Sequence, residues 1–416
     1  MTVHDRILFT HARVLTLAKG HRPRRGKELG ELGVIASADV LIEHGLVSHV
    51  FAPGAGPTDK GVHVIEAAGR VLMPAFVDCH THACWTGSRM DEWEQKLSGE
   101  AYLDILAKGG GIMSTVRAVR SLSQEQLKEA VLCHLHEFLL HGTTTIEIKS
   151  GYGLSTAEEL KMLRAAKAAG KLWPGTVMLT ALLGHAMDPD DPRFVERVIS
   201  ETLPAVEREF PHIPVDAFCE TSAWSVDDTA ELLKAASALH CPIRCHVDQF
   251  NSLGMLPLCI EMGARSVDHL EASTPEDLRL LAASKTIGVG LPICGLHMDG
   301  RYANLKSIVE AGGAVAIATN HNPGSAPTTS MPLTIAAAVR HCGLTPAQAI
   351  AAATVNAAAV LGLGDRGVIA HNARADLILL RHKDERALAY ELGGNPVDLI
   401  VTGGRVFTTR PPPYTA

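Results

Sequence analysis

The sequence predicts an α/β protein in which a central (β/α)8 TIM barrel is flanked by a small β-sandwich built from both chain ends. Three observations predict this fold. Apolar, strand-like segments alternate with helical patterns through the middle of the chain, short alternating segments recur near both termini, and polar residues follow directly after the central strands. Strands that alternate with helices form parallel βα units, and eight such units close into a barrel.

The two chain ends predict the sandwich. Short segments in which apolar and polar residues alternate lie within residues 1–66, and two segments of the same character lie within residues 369–416. This alternation is typical of antiparallel strands. We therefore expect a small β-sandwich domain made of residues 1–66 and 369–416, and a barrel domain made of residues 67–368.

Eight barrel strands can be placed from the pattern. They are predicted at residues 71–82, 143–149, 176–183, 215–220, 242–247, 266–270, 286–291 and 314–319. Helix starts lie between them. Ser123-x-x-Gln126 resembles a capping box, and Thr345-Pro346 places an N-cap residue before a first-turn proline. The carboxyl ends of the eight strands should therefore meet at one mouth, where such barrels carry their active sites.

Histidines at two of these strand ends predict a metal site. His80 and His82 are two residues apart, so both project from one face of an extended strand, and His246 ends the fifth strand. A hydrolytic metal site typically has three protein ligands and an open position for water. We expect one divalent ion there, and three imidazoles suit zinc, iron, nickel or copper. Lys149 ends the second strand, where substrate contact is expected and a carboxylated lysine bridging two metals is the alternative.

The composition limits which binding partners and which cellular compartment we expect. The 416 residues carry a net charge of −7 without a Lys/Arg cluster, which argues against nucleic acid and anionic membranes and favours a small-molecule partner. We see no signal-peptide core and no apolar run of 18 residues or more. The nine cysteines include no CxxC pair, so free thiols and a cytoplasmic location are expected.

Several long motifs carry a family resemblance. They are Gly87-Ser-Arg89, Gly109-Gly-Gly-Ile-Met-Ser-Thr-Val-Arg117, Thr143 to Leu154, Asp268-His-Leu-Glu271 and Asn322-Pro-Gly-Ser325. With them the chain resembles the imidazolonepropionase family of the amidohydrolase superfamily, the metal-dependent ring-opening enzymes of histidine degradation. The resemblance implies an amidohydrolase-type barrel and conversion of 4-imidazolone-5-propionate to N-formimino-glutamate. It also implies a zinc ion, with iron as the alternative, an anionic small-molecule substrate and a homodimer.

The resemblance also implies roles for individual residues. Arg89 would pair the substrate propionate, and an arginine fork suits a carboxylate. His269 would orient or polarise the group that is cleaved. The other implied substrate contacts are Tyr102, Tyr152, His185, Asn322, Gly324 and Ser325, and His185 is also a candidate catalytic residue.

This sequence departs from the family at the mouth of the barrel. Asn320 stands where the family has an aspartate that contacts the metal and handles the proton of the attacking water, and a neutral amide cannot accept that proton. Gln249 and His321 also differ from the residues usual there, and Cys294 lies in a changed loop. We keep all four as candidate catalytic residues, with Asn320 also a possible metal ligand.

These departures leave the reaction open between three functions. Ring opening expels a nitrogen that leaves poorly unless it is protonated. Hydrosulfide is a weaker base, so a desulfhydrase acting on 3-(5-oxo-2-thioxoimidazolidin-4-yl)propionate, a compound of ergothioneine degradation, is the second hypothesis. Cys294 or His321 would then assist as nucleophile or base. The third hypothesis is a catalytically silent homologue that keeps the barrel and binds a metal.

Overall fold

The computed structural model describes residues 2–99, 110–221 and 223–409. Within these residues, eight parallel strands form one sheet in which each strand pairs with its neighbours in chain order. They are β7 (Phe76–Asp78), β8 (Thr143–Lys149), β9 (Thr176–Gly184), β10 (Val215–Cys219), β11 (Arg244–Val247), β12 (Ser266–His269), β13 (Ile287–Gly290) and β14 (Val315–Ile317). The predicted barrel is confirmed, with strand ends that differ from the prediction by up to two residues in β8 to β14.

Backbone hydrogen bonds just beyond the first and last strands bring the two edges of this sheet together. The Asn320 N–H donates to the His80 carbonyl at 3.1 Å, and the His82 N–H donates to the His321 carbonyl at 3.0 Å. Because these bonds join the ends of β7 and β14, the residues that follow the two strands lie side by side at the mouth.

Strands from both chain ends form a second, separate sheet. Within the described residues it has nine strands: β1 (Thr2–Val3), β2 (Arg6–Leu15), β3 (Val34–Glu43), β4 (Leu46–Phe51), β5 (His63–Glu66), β6 (Val71–Pro74), β15 (Leu377–Leu380), β16 (Val397–Thr402) and β17 (Arg405–Thr408). They are hydrogen-bonded in the order β1-β17-β16-β15-β6-β2-β3-β4, with β5 also on β2. One apolar cluster with members from β2, β3, β6, β15 and β16 is its core. The predicted sandwich is thus one continuous sheet around this core.

The apolar run at residues 71–82 was expected to be one barrel strand, and the structure divides it. Val71–Pro74 pairs with β2 and β15 of the terminal sheet, and only Phe76–Asp78 pairs in the barrel. The Ala75 N–H between them donates to the Asp376 carbonyl at 2.9 Å. The run therefore links the two cores, and His80 and His82 lie in the segment that follows β7.

Helices fill the intervals between the barrel strands, as predicted. The described α-helices are Met90–Leu97, Ile112–Ser121, Gln124–Leu140, Thr156–Leu172, Phe194–Arg197, Leu203–Glu209, Val226–Ala238, Met255–Glu261, Pro275–Ala283, Pro292–His297, Leu305–Glu310, Met331–His341, Pro346–Ala352, Val355–Val360 and Ala387–Tyr390. A 3-10 helix spans Gly26–Gly30 and a π-helix spans Val198–Thr202. Ser123 forms the predicted capping box, and Thr345, the predicted N-cap residue, forms a capping box with Gln348. No helix in the described part of the chain is long and apolar enough to cross a membrane.

Candidate metal centre and active-site cavity

Three imidazoles meet at the mouth of the barrel. His80 and His82 follow β7 and His246 lies in β11, and their candidate ligand atoms all lie within 4.8 Å of one another. The Nε2 atoms of His82 and His246 are 3.4 Å apart. Burial lowers the pKa of all three side chains, so each is held as the neutral imidazole that metals bind. The structure thus brings the three sequence-predicted ligands together.

Carboxylates fix the orientation of two of these rings. His80 Nδ1 donates to Asp268 Oδ2 at 2.6 Å, and His246 Nδ1 donates to Asp216 Oδ1 at 3.1 Å. The Nε2 atom of each ring is therefore the acceptor, and buried His80 Nε2 has no hydrogen-bond partner among the described residues. A buried acceptor without a partner is costly unless an ion uses its lone pair. The donor set fits a divalent ion.

A buried ion network supports these carboxylates from inside the barrel. Lys149 Nζ donates to Asp216 Oδ2 at 2.7 Å and to Glu147 Oε1 at 3.0 Å. Arg244 donates to Asp268 Oδ2 at 2.6 Å and also to Glu147. All five side chains are buried. The sequence analysis did not identify this network, although charged residues within otherwise apolar strands were a signal for it.

The expected roles of Lys149 are corrected by this placement. Its side chain is fully buried and bonded to Glu147 and Asp216, so it does not contact substrate. The ammonium group is the form that satisfies two carboxylates, whereas a carboxylated lysine would place a third negative charge beside them. Lys149 instead positions His246 through Asp216.

Lys149→Met is expected to destabilise the fold by about 3–5 kcal/mol, because it leaves buried Asp216 without its cation and Glu147 with Arg244 alone. Urea unfolding of the metal-free chain measures this loss. Lys128→Met is the matched control, since Lys128 pairs at the surface with exposed Glu125 and its loss should have far less effect on stability. Equal losses in the two variants would contradict the role of the buried network.

A cavity of about 630 Å³ opens beside the three imidazoles. This volume is in the range of small-molecule sites. The predicted site residues that line it are His82, Arg89, Tyr152, His185, His246, Gln249, His269, Asn320, Asn322, Gly324 and Ser325. Tyr102, another predicted substrate contact, lies outside the described residues. Lys96, Phe218 and Phe250 also line the cavity and were not identified from the sequence.

One side of the cavity carries a fixed guanidinium group. Arg89 donates from Nε and Nη2 to Glu92 Oε2, at 2.9 and 2.7 Å. A Cβ atom at Gly324 would lie 2.5 Å from Arg89 Nη1, so only glycine allows this approach. Lys96 lines the same cavity, and burial together with the charge of Arg89 lowers its pKa. The fixed Arg89 guanidinium on this side of the cavity favours an anionic substrate group.

His185 and Tyr152 form an aromatic wall next to His82. The His185 ring stacks on His82 with centroids 4.9 Å apart, and it lies 5.0 Å from the Tyr152 ring. His185 Nδ1 donates to the Gly151 carbonyl at 3.0 Å, and burial lowers the pKa of this imidazole to about 3. A neutral His185 therefore offers Nε2 as an acceptor and a flat face for a planar ring.

Asn320 lines the cavity with an unpaired amide oxygen. Its Nδ2 donates to Ser325 Oγ at 3.3 Å, whereas its buried Oδ1 has no hydrogen-bond partner among the described residues. Asn322 accepts from the Gly324 and Ser325 N–H groups, which fixes the loop. The Asn320 oxygen can contact an ion or accept a hydrogen bond from water, but it cannot take a proton.

His269 is oriented by a carboxylate. Its Nδ1 lies 3.2 Å from both carboxylate oxygens of Glu271. Burial alone would lower the pKa of His269, but the Glu271 carboxylate and the Cys294 thiol outweigh burial and raise it to about 10. Gln249 Nε2 donates to Cys294 Sγ at 3.4 Å. Cys294 thus contacts the groups that line the cavity.

The expected catalytic role of His321 is corrected by its position. Its ring packs against Trp85, His134 and Phe138, with centroids 5.6, 5.0 and 5.3 Å away. Its Nδ1 donates to the Thr328 carbonyl at 2.9 Å, and burial lowers its pKa to about 3. His321 is therefore a packed neutral residue behind the mouth, which disfavours it as the base for either reaction.

Comparisons with known proteins agree with this architecture. Residues 71–407 match the family model described as "Amidohydrolase family". The chain is 41% identical over 394 residues to the imidazolonepropionase of Rubrobacter xylanophilus, covering 93% of this chain and 94% of that protein. It is 42% identical over 384 residues to the imidazolonepropionase of Deinococcus radiodurans, covering 92% and 95%.

Solved structures of other enzymes have similar folds. A 5-methylcytosine deaminase from Klebsiella pneumoniae superposes with a TM-score of 0.73 at 17% identity, covering 99% of each chain. A triazine hydrolase from Arthobacter aurescens superposes with a TM-score of 0.69 at 16% identity, covering 98% of this chain and 96% of that one. At these identities the likeness shows the fold alone.

Proposed function

Because the chain belongs to the amidohydrolase family, and within it to the imidazolonepropionases, we propose that it hydrolyses an imidazolone-type ring bearing a propionate side chain. The reaction is the ring opening of 4-imidazolone-5-propionate to N-formimino-glutamate in histidine degradation. One observation carries the proposal. A single cavity of about 630 Å³ is lined by His82 and His246 of the three-imidazole centre and by the fixed guanidinium of Arg89.

One divalent ion completes this centre in our proposal, zinc first and iron as the alternative. His80, His82 and His246 would hold it, and the Asn320 oxygen is a candidate weak ligand. When bound, such an ion lowers the pKa of water to about 7 and polarises a carbonyl group. The nine free cysteines are in keeping with the reducing cytoplasm that we propose as the compartment.

The chain's own residues would orient the substrate. The Glu92 carboxylate occupies the Nε and Nη2 atoms of Arg89, so Nη1, above Gly324, is placed to donate to the propionate. The planar ring would then lie against the aromatic wall of Tyr152 and His185. This arrangement holds the ring next to His82 while the carboxylate anchors its other end.

Protonation of the leaving nitrogen falls to His269 in this proposal. Ring opening needs an acid at that nitrogen, and the Asn320 amide cannot supply one. His269 lines the cavity, and Glu271 holds its Nδ1 so that Nε2 is the atom available to the substrate. Glu271 is therefore a positioning residue for His269.

The experiment that tests the proposed function is direct. The purified, metal-loaded chain is incubated with 4-imidazolone-5-propionate, and N-formimino-glutamate is quantified by mass spectrometry. We expect N-formimino-glutamate to form at a rate proportional to the enzyme concentration. Stoichiometric metal without turnover of this substrate would contradict the proposal, and no turnover of the thioxo substrate either would support the silent homologue.

Arg89→Met is expected to lower kcat/KM by about one to two orders of magnitude, because a charged hydrogen bond contributes roughly 1.5–3 kcal/mol. Arg89→Lys is the matched control, which keeps the charge but not the fork, and should lose less. The loss should shrink on a substrate that lacks the carboxylate. An equal loss on both substrates would contradict the pairing.

A second candidate function is favoured by the neutral amides at the mouth. Asn320 and Gln249 both line the cavity. The family usually has an acid or base at the position of Asn320, and part of the family has one at the position of Gln249. The alternative is desulfhydration of 3-(5-oxo-2-thioxoimidazolidin-4-yl)propionate. Water adds to the C=S carbon, the C–S bond breaks, and the products are the C=O compound and hydrogen sulfide. Sulfide release faster than imidazolone ring opening would establish it.

We also propose a homodimer as the working assembly, on the strength of the family resemblance alone. Light scattering of the purified chain measures its mass in solution. The expected value is twice the 44.3 kDa of one chain, and a concentration-independent monomer would contradict the proposal.

A further inference from the structure

A second group of metal-binding side chains lies beside the three-imidazole centre. In the described part of the chain, His269, Glu271 and Cys294 have candidate ligand atoms that all lie within 4.8 Å of one another. His269 ends β12, Glu271 follows it, and Cys294 lies in the first turn of the helix Pro292–His297. His269 and Cys294 are buried, and the Glu271 side chain is only 5% exposed. The local fold therefore brings an imidazole, a carboxylate and a thiol together in one small volume.

The chemistry of this group differs from that of the first centre. A thiolate and a carboxylate bring two negative charges to a dication, whereas three neutral imidazoles bring none. Thiolate, imidazole and carboxylate together are a donor set that binds zinc, and the thiolate favours thiophilic ions over magnesium or calcium. Because both oxygens of Glu271 lie 3.2 Å from His269 Nδ1, the carboxylate and imidazole are already adjacent donors.

The surroundings of the thiol also suit an ion. Gln249 Nε2 donates to Cys294 Sγ at 3.4 Å, so rotation of this amide would turn its oxygen toward the same volume. The thioether sulfur of Met298 lies 3.9 Å from Cys294 Sγ, which adds a polarisable neighbour. Both Gln249 and Met298 line the cavity, so an ion has a path of entry and a place for a water ligand.

We propose that His269 Nδ1, the Glu271 carboxylate and Cys294 Sγ form a second divalent-cation site, separate from the three-imidazole centre and selective for zinc-like, thiophilic ions. Binding releases the thiol proton and the Nδ1 proton of His269, and it replaces the contact between His269 and Glu271 with two metal–ligand bonds. One consequence rests on the proposed function: an ion bound there would hold His269 away from its acid role and inhibit ring opening.

Cobalt titration tests the site without using turnover. The metal-free chain carrying Cys133→Ala, which removes the one exposed thiol, is titrated with Co²⁺ and followed by absorption and equilibrium dialysis. The three-imidazole centre has no sulfur ligand, so the first equivalent should give no thiolate-to-cobalt charge-transfer band. We expect a second equivalent to bind more weakly and to produce that band.

Two variants decide which side chains bind the second ion. Cys133→Ala/Cys294→Ala should bind the first equivalent as before, which shows that the barrel is folded, and should lose the band and weaken the second equivalent at least tenfold. Cys133→Ala/Glu271→Gln keeps the thiol and should also weaken the second equivalent at least tenfold. A single equivalent in the parent chain, or a band that persists without Cys294, would overturn the proposal. The titration does not measure turnover, so the second-site proposal and the proposed function can fail independently.

Discussion

Replacing His80 and His246 together with alanine is expected to remove the bound metal ion and almost all activity. The double variant leaves one imidazole of three, and Asp216 and Asp268 lose the rings that they orient. A catalytic ion contributes several kcal/mol of transition-state stabilisation, so kcat/KM should fall by about 10³-fold or more. Elemental analysis after dialysis measures the metal, and circular dichroism verifies the fold.

The control for this variant removes two histidines that lie outside the centre. His21 and His136 are both exposed, so His21→Ala/His136→Ala should retain one ion per chain and the parent activity. Stoichiometric metal in the His80→Ala/His246→Ala chain would show that the ion is bound elsewhere and would contradict the ligand assignment.

Asn320→Asp is the second substitution for which we expect a large change in kcat/KM. The amide oxygen of Asn320 is buried and has no hydrogen-bond partner among the described residues, so a carboxylate there would face the cavity rather than a competing donor. If the native reaction expels nitrogen, the new base should raise kcat/KM for ring opening by up to about 10²- to 10⁴-fold. If it expels sulfide, the added negative charge opposes the departing anion, and the change should be neutral or harmful.

Both ring substrates are needed to interpret this variant. Asn322→Asp is the matched control, because the Asn322 amide donates to the Asn320 carbonyl and to Ser325 Oγ within the loop. A carboxylate at residue 322 should disturb the loop and increase neither reaction. If Asn320→Asp raises kcat/KM for the imidazolone while the parent chain is the better desulfhydrase, sulfur removal is the present function. No change on either substrate would contradict a proton-transfer deficit at Asn320.

The barrel was readable from the sequence because buried parallel strands leave continuous apolar runs between amphipathic helices. The division of residues 71–82 between the terminal sheet and the barrel could not be predicted. One apolar run cannot show where its hydrogen-bond partners change, and here the partners change at Ala75, from the terminal sheet to the barrel. Both halves of the run are buried and largely apolar, so the sequence does not distinguish them.

The metal ligands were predicted from spacing and position, whereas their supports depended on contacts between distant strands. Lys149 and Asp216 are 67 residues apart in sequence and meet only when the barrel closes. His321 shows a different limit. Its neighbours Asn320 and Asn322 line the cavity, whereas the His321 ring packs against Phe138. The sequence motif around residue 321 did not indicate that the His321 side chain lies outside the cavity lining.

Reconstitution of the metal-free chain tests the central claim most directly. Zinc is added in fractions of an equivalent, and bound metal and the rate of opening of 4-imidazolone-5-propionate are measured on the same samples. We predict no turnover without metal and a rate that rises in proportion to bound zinc until each chain holds one ion at His80, His82 and His246. Ring opening by the metal-free chain, or a rate that reaches its maximum only at two ions per chain, would contradict it.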